Sequence, residues 1–108
     1  MAEDERRRDP RWPVAVNARV TLQNGQYFDS NILNVNLGGC FLEGSFGLVD
    51  GDVVLIHSYF NPKLNGVYGQ VCWLVDEPTL KGIGVRFQPM DDPQKFELIR
   101  WFNQVVGR

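Results

Sequence analysis

The chain has 108 residues, 44% of them apolar and 22% charged, with a formal net charge of -2 and two cysteines. That length suits one domain with a modest core, and two thiols are too few for a disulfide framework. No apolar run approaches the ~20 residues of a membrane helix, and the polar, charged start predicts no signal peptide.

The charge is unevenly placed. Arg6-Arg7-Arg8-Asp9-Pro10-Arg11 holds four of the eleven basic residues, while Trp12 to Arg108 carries seven basic and nine acidic side chains. Local charge, not net charge, sets the field at a site, so the arm can attract a compact anion. Arg suits phosphate and the guanine Hoogsteen edge because its planar fork donates parallel hydrogen bonds. A charged terminus is also commonly a solvated tail. Residues 1–13 read as a flexible arginine arm and 14–108 as the folded domain.

Pro13 biases Trp12 to an extended shape, so the arm runs into a strand. Val14, Val16, Ala18, Val20 and Leu22 alternate with Ala15, Asn17, Arg19 and Thr21, the period of a strand with one buried face. Asn24-Gly25 is a hairpin turn. Tyr27 to Val35 is the return strand, and Asn36-Leu37-Gly38-Gly39 breaks it. Cys40 to Glu43 is a short strand, followed by a loop over Gly44 to Asp52. Val53 to Phe60 is a fourth strand, Asn61 to Gly66 a turn, and Val67 to Val75 a fifth strand. Asp76 to Lys81 turns the chain into Gly82 to Phe87, whose glycines read as a barrel corner. Cys40 and Cys72 sit in apolar strands and read as buried thiols of a reduced, cytoplasmic protein. Nothing in the sequence requires a bridge between them.

The period then changes. Asp92 reads as the N-cap of a helix with Pro93 at its first position. Leu98, Ile99, Phe102, Val105 and Val106 form one apolar stripe, and Gly107 ends the helix. The stripe either covers the barrel or mediates self-association. The fold class is all-β with a C-terminal helix, a six-stranded antiparallel barrel.

An enzyme is not expected. His57, the sole His, lies mid-strand as a structural residue. There is no nucleophile–base pair, metal-ligand spacing or phosphate loop. Asp76-Glu77 and Asp91-Asp92 read as solvated turns and a helix start. A nucleic-acid polymer fits poorly, because the basic residues cluster in one arm instead of lining a groove.

Arg7-Arg8-Asp9-Pro10-Arg11 and Asn34-Val35-Asn36-Leu37-Gly38-Gly39 together resemble the two signatures of the PilZ domain family. Arg7 and Arg11 match R-x-x-x-R. Asn34 and Gly39 open and close the family's [D/N]-x-S-x-x-G, with Asn36 where the family has Ser. The resemblance extends through Val71-Cys72-Trp73, Gly84-Val85-Arg86-Phe87 and the helix. It implies a PilZ-like barrel that binds the bacterial second messenger cyclic di-GMP and takes no other cofactor. It implies that Arg7 and Arg11 contact guanine and phosphate, that Asn34 and Asn36 bond a guanine edge, and that Gly39 lets backbone approach. It further implies that Arg6 favours two stacked ligands, with Arg8 a lesser contact. Trp73 is either a stacking surface for guanine or barrel core. The ordered arm would then signal to an unidentified partner protein. The alternative is a PilZ scaffold that has lost its ligand, which the Asn36 departure supports and the intact arginines oppose.

Overall fold

The computed structural model describes residues 10–59 and 66–107. Six strands run over Trp12–Thr21 (β1), Tyr27–Asn36 (β2), Gly39–Glu43 (β3), Val53–Ser58 (β4), Val67–Asp76 (β5) and Lys81–Phe87 (β6), and a helix follows over Asp92–Val105 (α1). All pairings are antiparallel, and the strands close into a barrel in the order β1-β2-β3-β6-β5-β4. Closure leaves no unpaired sheet edge. The six strands and the helix expected from the sequence follow one another along the chain as expected, with β1 starting two residues earlier. Trp12 and Pro13 therefore belong to the barrel wall and not to the arm. Phe60 and the turn at 61–65 lie outside the described residues.

Strand alternation builds the core. Val16, Ala18 and Val20 of β1 point inward with Ile32 and Val35, Cys40 and Leu42, Val54 and Ile56, Val67 and Val71, and Ile83 and Val85. The Asn24-Gly25 turn forms as its sequence predicts, with Gly25 at φ 91° and the Leu22 amide donating to the Gln26 carbonyl at 2.8 Å. Positive φ at that position is what makes Gly the fitting residue.

The helix closes one end of the barrel. Its N-cap is Asp91, not Asp92: the Gln94 amide donates to Asp91 Oδ1 at 2.9 Å, and Asp92 supplies negative charge to the first turn. Both placements favour the positive end of the helix dipole. Leu98 is buried and Phe102, Val105 and Val106 pack on the core, but Ile99 is 45% exposed. The deepest helix residue is Trp101, which the aliphatic stripe omitted. It is 2% exposed, and its indole Nε1 donates to Ser58 Oγ at 2.8 Å. A buried indole N–H needs such a partner, and β4 provides it at its last residue.

The cysteines are both free. Cys40 is fully enclosed, and burial pushes its thiol up to about 12 despite the opposing field of Arg11. Cys72 is only half-buried, so the expectation of two buried thiols holds for Cys40 alone. Among the described residues no helix is long and apolar enough to cross a membrane.

Candidate functional site

Three register shifts interrupt the barrel ladders, between Pro13 and Val16, between Ile32 and Asn34, and between Val71 and Trp73. Each adds a residue on one strand, which bends the strand and re-aims the side chains beside it. Here the residues beside them are Arg11, Asn34 and Trp73. All three converge on the outer surface of the barrel.

The convergence follows one row across four strands. Asn34 of β2 pairs with Phe41 of β3, Phe41 with Gly84 of β6, and Gly84 with Trp73 of β5. Arg11 leads into β1 beside this row. Its Nη1 donates to Asn34 Oδ1 at 2.9 Å, and its Cζ lies 4.5 Å from the centre of the Trp73 ring. Residues 23 apart in sequence, one from each motif, thus meet directly. The contact also fixes the guanidinium plane, because a cation over an aromatic face is held by the ring quadrupole.

Glycine makes the shelf beneath. A Cβ at Gly84 would stand 2.2 Å from the Trp73 ring, and one at Gly82 would stand 2.4 Å from the Leu42 carbonyl oxygen and 2.5 Å from the Phe41 ring. Both glycines face outward, since Ile83 and Val85 face the core. Their absent side chains let two aromatic rings lie flat on the wall. The sequence reading took these glycines for a barrel corner. The observed reason is ring packing, and the alternation Gly82-x-Gly84 was the available signal. Trp73 is accordingly not barrel core; it is a half-buried ring on the outside, with Phe41 buried beside it.

The second motif makes the turn at the end of this row. Asn36 Oδ1 accepts from the Gly38 amide at 2.7 Å, which is how a short polar side chain starts a turn. The Gly38 carbonyl accepts from the Phe87 amide at 2.8 Å, tying the turn to the end of β6. Gly39 has a fold-level reason of its own: a Cβ there would lie 2.1 Å from the Val85 carbonyl oxygen, a backbone atom that cannot step aside. Its glycine is therefore required by close strand packing, whatever approaches from outside.

The site residues thus divide. Arg11, Asn34 and Trp73 are in contact, while Asn36 and Gly39 lie one turn further along β2 and β3. Arg6, Arg7 and Arg8 lie outside the described residues. His57 is mid-strand on β4 opposite Arg19, away from this face. Among the described residues no group of three His, Cys, Asp or Glu side chains could hold a metal ion.

The shelf makes a testable demand. Gly84→Ala should lift the Trp73 ring, and with it the guanidinium it supports. Overpacking of this kind costs about 1–3 kcal/mol. The expected result is a melting temperature lower by several degrees, with a blue- or red-shifted tryptophan emission reporting the moved ring. An unchanged spectrum and melt would show that the ring does not rest on Gly84.

The described residues thus form a closed six-stranded antiparallel barrel with a C-terminal helix, and its outer wall holds an arginine against an asparagine of β2. Residues 5–104 match the model of the PilZ domain, and the chain belongs to that family. Solved structures agree in fold. The PilZ domain with c-di-GMP of YcgR from Escherichia coli aligns at a TM-score of 0.70 and 14% identity, over 93% of this chain and 91% of that one. The PilZ domain of CeSA from a cellulose synthesizing bacterium gives 0.66 and 18%, over 91% and 96%. The MrkH–c-di-GMP complex of K. pneumonia gives 0.71 and 14% over 93% of this chain, which spans about half (52%) of MrkH. No curated protein matches the chain.

Proposed function

We propose that this protein is a bacterial cyclic di-GMP receptor that acts through a partner protein in the cytosol. The observation that carries this reading is the direct bond between the two motifs, Arg11 Nη1 to Asn34 Oδ1 at 2.9 Å, on a Trp73 shelf. Cyclic di-GMP presents two negative phosphates and two guanines with O6 and N7 acceptors. A guanidinium held flat by an aromatic ring meets such acceptors with its N–H edge already oriented, so less entropy is lost on binding. Arg7 lies four residues before Arg11 and would supply a second fork, while Arg6 would favour a second, stacked ligand and Arg8 a weaker contact. Asn34 and Asn36 would complete the site from the turn, with the Gly39 backbone beside them. Structures of family members YcgR and MrkH hold c-di-GMP, which supports the choice of ligand.

Charge-assisted hydrogen bonds contribute about 1.5–3 kcal/mol each. Three or four of them contribute about 4.5–12 kcal/mol, a range that spans the roughly -8 kcal/mol of micromolar affinity, and the about 1–2 kcal/mol spent per arm residue ordered offsets part of it. The response would pass through the ordered arm, which presents a new surface to a partner.

One observation favours the second reading, a PilZ scaffold that works without the ligand. Asn36 Oδ1 is engaged inside its own turn by the Gly38 amide. Tryptophan fluorescence separates the two readings, because Trp73 is part of the proposed site. Cyclic di-GMP should change the emission saturably, and a linear dinucleotide or single-stranded oligonucleotide should not. A flat titration with all three ligands points to the scaffold.

A further inference from the structure

The outer wall carries a second row beside the one that holds Arg11. Asn36 of β2 pairs with Gly39 of β3, Gly39 with Arg86 of β6, and Arg86 with Gln70 of β5. The first row runs from Asn34 to Trp73, and the second from Asn36 to Gln70. Each opens on an asparagine of the second motif.

Arg86 faces outward by the same alternation that turns Gly82 and Gly84 outward, since Ile83 and Val85 are 2% and 1% exposed. It is exposed, and among the described residues its side chain makes no hydrogen bond or ion pair. Its position is two residues from Gly84, on which Trp73 rests, a rise of roughly 6.6 Å along the strand. The thiol of Cys72 on β5 feels the field of both arginines. Burial raises its pKa, and the positive fields of Arg86 and Arg11, in that order, oppose the rise. Gly39, between Asn36 and Arg86, carries no side chain. Gln70 ends the row as a neutral donor and acceptor.

The geometry points to Arg86 as a further ligand-contacting residue, whose guanidinium binds a phosphate of the cyclic dinucleotide while Arg11 and Trp73 hold a guanine. The assignment rests on the receptor reading of this site and deepens it. A base and its neighbouring phosphate are separated by about the rise between the two rows, so a guanine over the Trp73–Gly84 row places a phosphate over the Gly39–Arg86 row. Arg is suited to that anion, and an exposed site with no competing carboxylate in either row leaves its charge unneutralised on this face. In sequence, Arg86 is one residue of the Gly84-Val85-Arg86-Phe87 strand, with no role of its own. Its signal was its place two residues after Gly84, on the outward parity of β6.

The experiment is calorimetric titration of cyclic di-GMP into the wild type, Arg86→Gln, Arg86→Lys and Arg100→Gln at two salt concentrations. Arg100→Gln removes the same charge from α1, where the guanidinium lies against Glu97 and Phe96. Arg86→Gln should raise Kd about 10- to 100-fold and weaken its salt dependence. Arg86→Lys should stay within about threefold of wild type, because a phosphate accepts a point charge. Arg100→Gln should bind like the wild type. Thermal melts of all four should agree within a few degrees, which removes misfolding as a cause. Wild-type affinity in Arg86→Gln overturns the assignment, as does an equal loss in Arg100→Gln. A loss in Arg86→Lys as large as in Arg86→Gln overturns the phosphate contact. Absence of binding by the wild type is a different failure, that of the receptor reading itself, and the assignment falls with it.

Discussion

Arg11→Ala is expected to raise the Kd for cyclic di-GMP by at least about 100-fold while leaving the barrel folded. The guanidinium would make two or more charge-assisted bonds to the ligand at about 1.5–3 kcal/mol each, and about 1.4 kcal/mol is tenfold in Kd. The fold has less at stake. Among its contacts with described residues, Arg11 donates to Asn34 and lies over the Trp73 ring. Together these contribute about 1–2 kcal/mol to stability at a half-exposed position. For a chain of this size each kcal/mol moves the melting temperature by roughly 4–8 °C. A folded variant with wild-type affinity would remove Arg11 from the site. Arg11→Lys sharpens the result. It keeps the charge but loses the planar fork that stacks on Trp73, so it should recover only part of the affinity.

The largest effect on stability is expected where the helix packs on the core. Trp101→Ala should destabilise the protein by about 3–5 kcal/mol, the range for truncating a large buried aromatic. Trp101 is 2% exposed, packs in the core beside Leu98 and donates to Ser58 Oγ. Its loss leaves a void between α1 and the ends of β4 and β5. Domains of this size are stable by about 5–15 kcal/mol in total, so this one residue carries a large part of the margin. Urea denaturation measures it directly. Trp101→Phe should lose less, about 1–2 kcal/mol, because it keeps most of the ring and forfeits the hydrogen bond. A loss below 1 kcal/mol for the alanine variant would show that the helix is not anchored through this residue.

What was legible in the sequence was local. The alternation from Val14 to Leu22, the Asn24-Gly25 turn and the proline at the helix start each specify a conformation within a few residues. Their elements appear where expected, within one or two residues at the ends. The barrel class followed from strand count and spacing. The order β1-β2-β3-β6-β5-β4 is set by which faces pair, and no stretch of the sequence states it alone.

The site was legible in part, for the same reason. Arg11 and Asn34 were identified from motifs, but their contact depends on two bulges, and a bulge is a property of two strands, not one. The extra residues Leu33 and Cys72 look like ordinary strand positions in sequence. Gly82 and Gly84 were visible as glycines, yet their purpose became clear only with the Phe41 and Trp73 rings lying against them. Trp101 was passed over because the stripe was counted on aliphatic and phenyl residues, although its position three after Leu98 puts it on the same face. The exposed Ile99 is the complementary error: it sits beside Leu98 in sequence and at the rim of the stripe in space.

The central claim is that two motifs, joined by the Arg11–Asn34 bond, form one cyclic di-GMP site. Isothermal titration of cyclic di-GMP into the wild-type protein tests it most directly. The account predicts saturable heat with a micromolar or tighter Kd, lost in Arg11→Ala, and a stoichiometry of two per chain if Arg6 brings in a stacked second ligand. No heat and no thermal shift at high ligand concentration would contradict it. The turn-bound Asn36 would then mark a PilZ scaffold that works through protein contacts alone.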